Sequence, residues 1–207
     1  MSRIVLLPDA KLNVDCGPTT KQFAEISITN FRSAAEYVWR LPYGRNSNRS
    51  NYRLVMKEKR GACSTKHALL RELAIEQGLQ EVQLTIGIFE MTKNNTPPII
   101  PILEKAGLPS IPEAHCYLRY HGNRVDLTRY DVLTNDPLVD FVFEDNVAPL
   151  QIGAYKESVH QLFIKKWLEK ENLLARFSVE SVWSIRENFI NSLSQSWDLT
   201  SRGSTFD

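Results

Sequence analysis

The chain has 207 residues, enough to bury a sizeable core, so neither a metal nor a disulfide is needed to hold it together. Hydrophobic residues make up 43% and charged residues 24%, ordinary for a soluble domain, and no apolar run approaches the ~18 residues of a membrane span. A formal net charge of +1 argues against nucleic acid or another polyanion as a partner.

In chain order, residues 1 to 18 read as irregular, punctuated by Pro8, Gly17 and Pro18. "IVLL" at 4 to 7 is too short for the core of a signal peptide. From about Thr20 to Leu41 the pattern is helical. Phe31, Ala34, Ala35, Val38 and Leu41 share one side, Thr29 or Asn30 can cap, and Pro42 closes the stretch. A polar loop, "YGRNSNRSN", follows, and then "KEKR" at 57 to 60, read as a solvated basic face. A second helix begins near Cys63, with Ala62, Leu69, Leu70, Leu73 and Ala74 apolar and Gly78 as a stop.

Val82, Leu84, Ile86 and Ile88 alternate along 81 to 91 as in a half-buried strand. The Pro-rich span 97 to 112 is a long connection with a short helix at "PILEKAG". "EAHCYLRY" and "RVDLTRYD" flank His121-Gly122-Asn123 as two strands of a hairpin. Two helices close the chain, at about 152 to 171 and 178 to 195, the second opened by Ser178 with Glu180 in its first turn. The expected class is α+β: an antiparallel sheet with helices before, within and after it. The expected organisation is a core over 1–150, a helical extension over 151–199 and a frayed tail over 200–207.

Cys16, Cys63 and Cys116 are odd in number and lack framework spacing, so they read as free thiols of a cytoplasmic protein. Zinc patterns, G-x-G-x-x-G and phosphate-binding loops are missing from the sequence, so no cofactor is expected. What does recur in order is a cysteine at a helix start, then His115 on one strand, then Asp126 on the next. The thiolate is the nucleophilic form, and a thiol with the ordinary pKa near 8.5 is mostly protonated at neutral pH. Amides at a helix N-terminus favour an anion by up to ~1 kcal/mol, and a neighbouring imidazolium does more. His115 would then hold the thiolate and hand on its proton, with Asp126 orienting the ring.

"GACSTKHALLREL", "HCYLRY" and "RVDLT" resemble the three core blocks of the transglutaminase-like superfamily: Gly-x-Cys opening a helix, a strand beginning His-x-aromatic, and a strand carrying Asp-x-Thr. The resemblance covers roughly residues 55 to 130. It implies a papain-like core in which N-terminal helices pack on the sheet. Cys63 would be the nucleophile, His115 the general base and acid, and Asp126 the orienting carboxylate. It further implies hydrolysis or acyl transfer on a peptide, amide or small-molecule substrate through a thioester, with no membrane or nucleic acid involved and the oligomeric state open. Tyr43, Arg45, Asn46 and Asn48 are candidates for the second oxyanion donor or for substrate binding, beside the Cys63 amide.

Eleven positions separate His115 from Asp126, and the hairpin turn decides whether they can meet. A two-residue Gly122-Asn123 turn sets Asp126 opposite Arg119, displaced from His115 by about 13 Å at ~3.3 Å per residue. A four-residue loop over 120–123, or a bulge, sets it opposite Tyr117, diagonal to His115 and within side-chain reach. His67, four residues after Cys63, is a rival base or, with Cys63 and His115, a metal ligand. Cys116 faces away from His115 toward the core, and His121 sits exposed at the hairpin tip. The alternative to an enzyme is a binding module that keeps the fold without turnover.

Overall fold

The computed structural model describes residues 3–130 and 140–201, with side chains as far as residue 192. In chain order the elements are α1 (Pro18–Glu25), α2 (Phe31–Arg40), α3 (Leu54–Glu58), α4 (Cys63–Glu76), β1 (Gln83–Met91), α5 (Ile100–Ala106), β2 (Ile111–Tyr120), β3 (Asn123–Val125), β4 (Phe143–Val147), α6 (Ala154–Lys170) and α7 (Val179–Ser201). The four strands lie in the order β3-β2-β1-β4, a mixed α+β arrangement with an antiparallel sheet. Among the described residues no helix is long and apolar enough to cross a membrane. From residue 202 onward the expected frayed tail lies outside the described residues.

The chain divides into two compact units. Of the described residues, the first takes 3–86, 116–130 and 145–153, and the second takes 87–115, 140–144 and 154–201. The division passes through β2 between His115 and Cys116.

In the first unit α4 is the hub, packed against α1, α2, α3 and the 3-10 turn Pro149–Ile152. It is buried nearly all round, from Cys63 to Arg71 without a break and again at Leu73 and Ala74. Several of those residues are polar, so each needs a partner inside the fold. Arg71 donates to the Val82 carbonyl at 2.7 Å, and the Lys66 ammonium, fully buried, donates to the carbonyls of Leu41 (2.5 Å), Thr128 (2.9 Å) and Trp39 (3.3 Å). The far end of α4 is tied as firmly. Glu76 accepts from the backbone N–H of Thr19 (2.8 Å) and of Thr20 (2.7 Å), capping α1 from another helix. A residue larger than glycine at the N-cap, Gly17, would collide with that carboxylate.

The single helical stretch expected over Thr20 to Leu41 is two helices. Asn30 caps α2, accepting from the N–H of Arg32 (2.8 Å) and Ser33 (3.3 Å). Ser27 adopts φ 62, and residues 10 to 12 satisfy the backbone of the break through Phe31 N–H to Ala10 O (2.8 Å) and Leu12 N–H to Thr29 O (2.9 Å). Strand β1 also differs from expectation. Rather than half-buried, it is buried at every position from Leu84 to Phe89, because it is an inner strand and its off-phase residues are small or paired. Thr85 donates to the Asn146 amide oxygen at 2.8 Å, and Gly87 leaves the space that the Phe141 ring fills.

The hairpin turns at His121-Gly122, with φ 47 and 79, the two positive values of a type I′ turn. Its register pairs Leu118 with Val125, Arg119 with Arg124 and Tyr120 with Asn123. That differs from the Gly122-Asn123 turn and from the wider loop or bulge, yet it gives the register that the wider loop would have given. Strand β3 ends at Val125, opposite Leu118, and Asp126 is the residue that follows it.

The second unit has its own core, in which Phe89, Met91, Leu103 and Ile111 meet Ile164, Trp167, Leu168, Val182 and Phe189. α6 contributes the stripe His160, Ile164, Trp167 and Leu168, at helical spacing. Ser178 caps α7 as expected, its hydroxyl accepting from the Ser181 N–H at 3.2 Å. Within this core Arg186 of α7 grips both carboxylate oxygens of Glu113 on β2, through Nε at 2.6 Å and through Nη2.

Candidate functional site

Cys63 is the first residue of α4, with 9% of its surface exposed and its sulfur 3.8 Å from the Ser64 hydroxyl. The N-cap residue is Ala62, which brings no side-chain acceptor to the first-turn amides. The N-cap side chain therefore does not consume the partial positive charge of the first-turn amides. Gly61 is glycine because a Cβ there would lie 2.9 Å from Lys66 Cγ and 3.0 Å from Thr65 Oγ1. That close approach lets the loop after α2 run alongside: the Gly61 N–H donates to Pro42 O (3.2 Å) and the Gly44 N–H to Gly61 O (3.3 Å).

Asn46, one of the four loop candidates, fastens this arrangement. Its two amide protons go to Glu58 Oε2 (3.0 Å) and to the Arg60 carbonyl (2.9 Å), and its oxygen accepts from Thr65 Oγ1 (2.7 Å). The Thr65 hydroxyl in turn accepts from the Ala62 N–H at 3.1 Å. Asn46 is thus a buried clip on the helix start, with its donors already committed. Hydrogen bonds from Ser47 and Asn46 hold the Glu58 carboxyl below its ordinary range. Tyr43 and Arg45 are half-buried in the same loop, and Asn48 is exposed, its side-chain oxygen turned to the Ser50 N–H at 3.0 Å.

His67 is fully buried one turn along from Cys63. The Leu127 N–H donates to Nε2 at 2.8 Å, and Nδ1 lies 2.7 Å from the Cys63 carbonyl oxygen. A backbone N–H can only donate and a carbonyl can only accept, so Nε2 is bare, Nδ1 carries the proton and the ring is neutral. The Asp126 carboxylate 3.7 Å from Nε2 is accordingly a near neighbour, not an ion-pair partner. Asp126 Oδ1 instead accepts from the Thr128 N–H at 2.9 Å and from its hydroxyl, so Asp-x-Thr is also a local Asx turn. The segment after β3 is pinned further by Lys66 on Thr128 O and by the Trp39 indole on Arg129 O at 2.8 Å.

With both nitrogens occupied by backbone, His67 is neither a base nor a metal ligand in this arrangement. Among the described residues no group of three or more His, Cys, Asp or Glu side chains is set to hold a metal ion. Cys116 is fully buried, as its place on β2 suggested, and His121 is exposed at the tip, 3.3 Å from Glu81. His115 is half-exposed, and it is the one residue of Ile111–Leu118 that is not buried.

The structure therefore brings Cys63, His67 and Asp126 together within the first unit, His67 bonded to the Cys63 peptide on one side and to the peptide after Asp126 on the other. His115 is the residue at which the second unit's stretch of β2 ends. Sequence reasoning missed Lys66 and the Glu113–Arg186 pair. Each carried a signal: a charged residue at positions otherwise spaced as core, such as Arg186 four after Val182 and three before Phe189. Comparison with protein-family models, with curated proteins and with solved structures finds no match for this chain.

Proposed function

We propose that the protein is a cysteine-dependent amide hydrolase or acyltransferase of the transglutaminase-like kind, with a papain-like core. Cys63 attacks a peptide, amide or related small-molecule carbonyl, a thioester forms, and water or an amine resolves it. His115 acts as general base and then acid, and Asp126 orients its ring. The observation that carries this reading is the helix start: a thiol at the first position of a 14-residue helix whose N-cap offers the amides no side-chain acceptor. Two further observations support it. The hairpin register pairs Val125, the residue before Asp126, with Leu118, and His115 keeps solvent access in a strand otherwise closed up to Leu118. Of the loop candidates, Tyr43, Arg45 and Asn48 remain as a second donor toward the oxyanion.

Iodoacetamide kinetics at pH 6, resolved by site with mass spectrometry, test this. Cys63 is expected to react at least about tenfold faster than a model thiol, as a pKa lowered by one unit or more requires. Electrophilic amide probes should label the protein and spare Cys63→Ala. A rate at Cys63 no faster than the model thiol would falsify the activated thiolate and leave a binding module with the same fold.

A further inference from the structure

We infer that His67 is the positioning residue of this centre: a ring that clamps the Cys63 peptide to the Asp126-Leu127 peptide. As a statement about reactivity this rests on Cys63 being the nucleophile. The geometry is two-sided. Nδ1–H holds the Cys63 carbonyl at 2.7 Å and Nε2 receives the Leu127 amide at 2.8 Å, across 60 residues of sequence. A ring of fixed width bonded at both edges sets the distance between α4's first turn and the end of β3. It leaves neither partner able to slide without breaking a buried hydrogen bond.

Neutrality follows from the partners and has a purpose. The Asp126 carboxylate lies 3.7 Å from Nε2, and two cations bond the same segment: the Lys66 ammonium at Thr128 O and the Arg3 guanidinium at Asp126 O, 3.3 Å away. A proton on Nε2 would point at the Leu127 N–H and break that bond. It would also turn the ring into a cation competing for the Asp126 carboxylate that His115 is proposed to use. Keeping Nε2 occupied by a backbone donor reserves that carboxylate.

Two substitutions separate the two edges. In His67→Asn the side-chain NH2 occupies the Nδ1 position and keeps the Cys63 bond alone. In His67→Gln the side-chain oxygen reaches the Nε2 position and keeps the Leu127 bond alone. The full chain and both variants are compared by the pH profile of iodoacetamide alkylation at Cys63, by urea unfolding, and by 15N NMR of the His67 ring. Expected are a bare Nε2 at pH 7 with the proton on Nδ1, and in each variant an alkylation rate at pH 6 reduced about tenfold, the thiol's apparent pKa moving up. Variants that lose stability yet keep the wild-type pH profile would reduce His67 to packing and overturn the inference. So would a ring protonated at Nε2. A wild-type Cys63 without activation brings down the proposed function instead, and the ring's protonation state and the Leu127 bond then decide the clamp by themselves. They also decide it should the variants fail to fold.

Discussion

Two buried polar centres, one in each unit, show opposite ways of keeping hydrogen-bonding groups inside a core. Around α4 the partners are backbone: a neutral imidazole between a carbonyl and an amide, and an ammonium shared by three carbonyls. In the second unit the partners are charges. Glu113 and Arg186, each with under a tenth of its surface exposed, form a two-pronged ion pair. Beside it His160 donates from Nε2 to Pro112 O at 2.7 Å and packs edge-on to Trp183. Burial by itself would raise the Glu113 pKa, but the Arg186 guanidinium outweighs it and holds the carboxyl below its ordinary range. Burial drives His160 down to about 4. The first centre depends on where the backbone runs, whereas the second depends on charge state. The two should therefore fail under different conditions.

The largest expected effect breaks the second centre. Arg186→Leu leaves a carboxylate buried without its partner, and urea unfolding should show a loss of about 4 kcal/mol. Changing both members, Glu113→Leu with Arg186→Leu, should recover most of that. A double variant as unstable as the single one would mean that the pair's hydrogen bonds, not the lone charge, carry the cost.

Acidity should come next. His160 is neutral in the fold down to about pH 4, while in the unfolded chain it takes up a proton near the ordinary histidine value of 6.5. Between those values the unfolded state binds more protons, so stability falls as pH is lowered from about 6.5 to about 4, by roughly 3 kcal/mol from this group. Glu113 adds to the loss at lower pH, since its contribution is present above the unfolded carboxyl value of 4.5 and disappears as pH drops through its lower folded pKa. His160→Gln should flatten the wild-type slope between pH 6.5 and 4.5. An unchanged slope would move the acid sensitivity elsewhere.

The smallest effect belongs to the first centre. Lys66→Met leaves three carbonyls short of a donor but removes a buried charge as well, and about 2 kcal/mol should be lost. That loss should be the same at pH 5 and pH 8, in contrast to the His160 case. A marked pH dependence would show that the ammonium's charge matters beyond its hydrogen bonds.

What the sequence disclosed depended on how far apart the interacting residues lie. Asn30, Gly78 and Ser178 act within one turn of their helices, and their roles at the helix ends are local enough to read directly. The class, mixed α+β, followed from the order of periodic stretches. The His67 bond to Leu127 spans 60 residues, so only its first half, the shared helical face with Cys63, was visible in the chain. Lys66 and Arg186 sit at core spacing, but their partners are remote carbonyls and a remote carboxylate. At the hairpin, preference favoured glycine and asparagine for the turn. The structure instead turns one residue earlier, with positive φ at His121 and Gly122, and pairs Leu118 with Val125.

That turn makes the hairpin a ruler. Surface loops usually absorb an extra residue with little harm, but a residue added inside β3, between Asn123 and Val125, would advance the returning strand by one step and turn the side chains after it to the opposite face. Adding a single glycine after Arg124 should therefore turn Val125 out of the core and lower stability, while an addition at the exposed His121-Gly122 tip should be absorbed, as urea unfolding of the two variants would show.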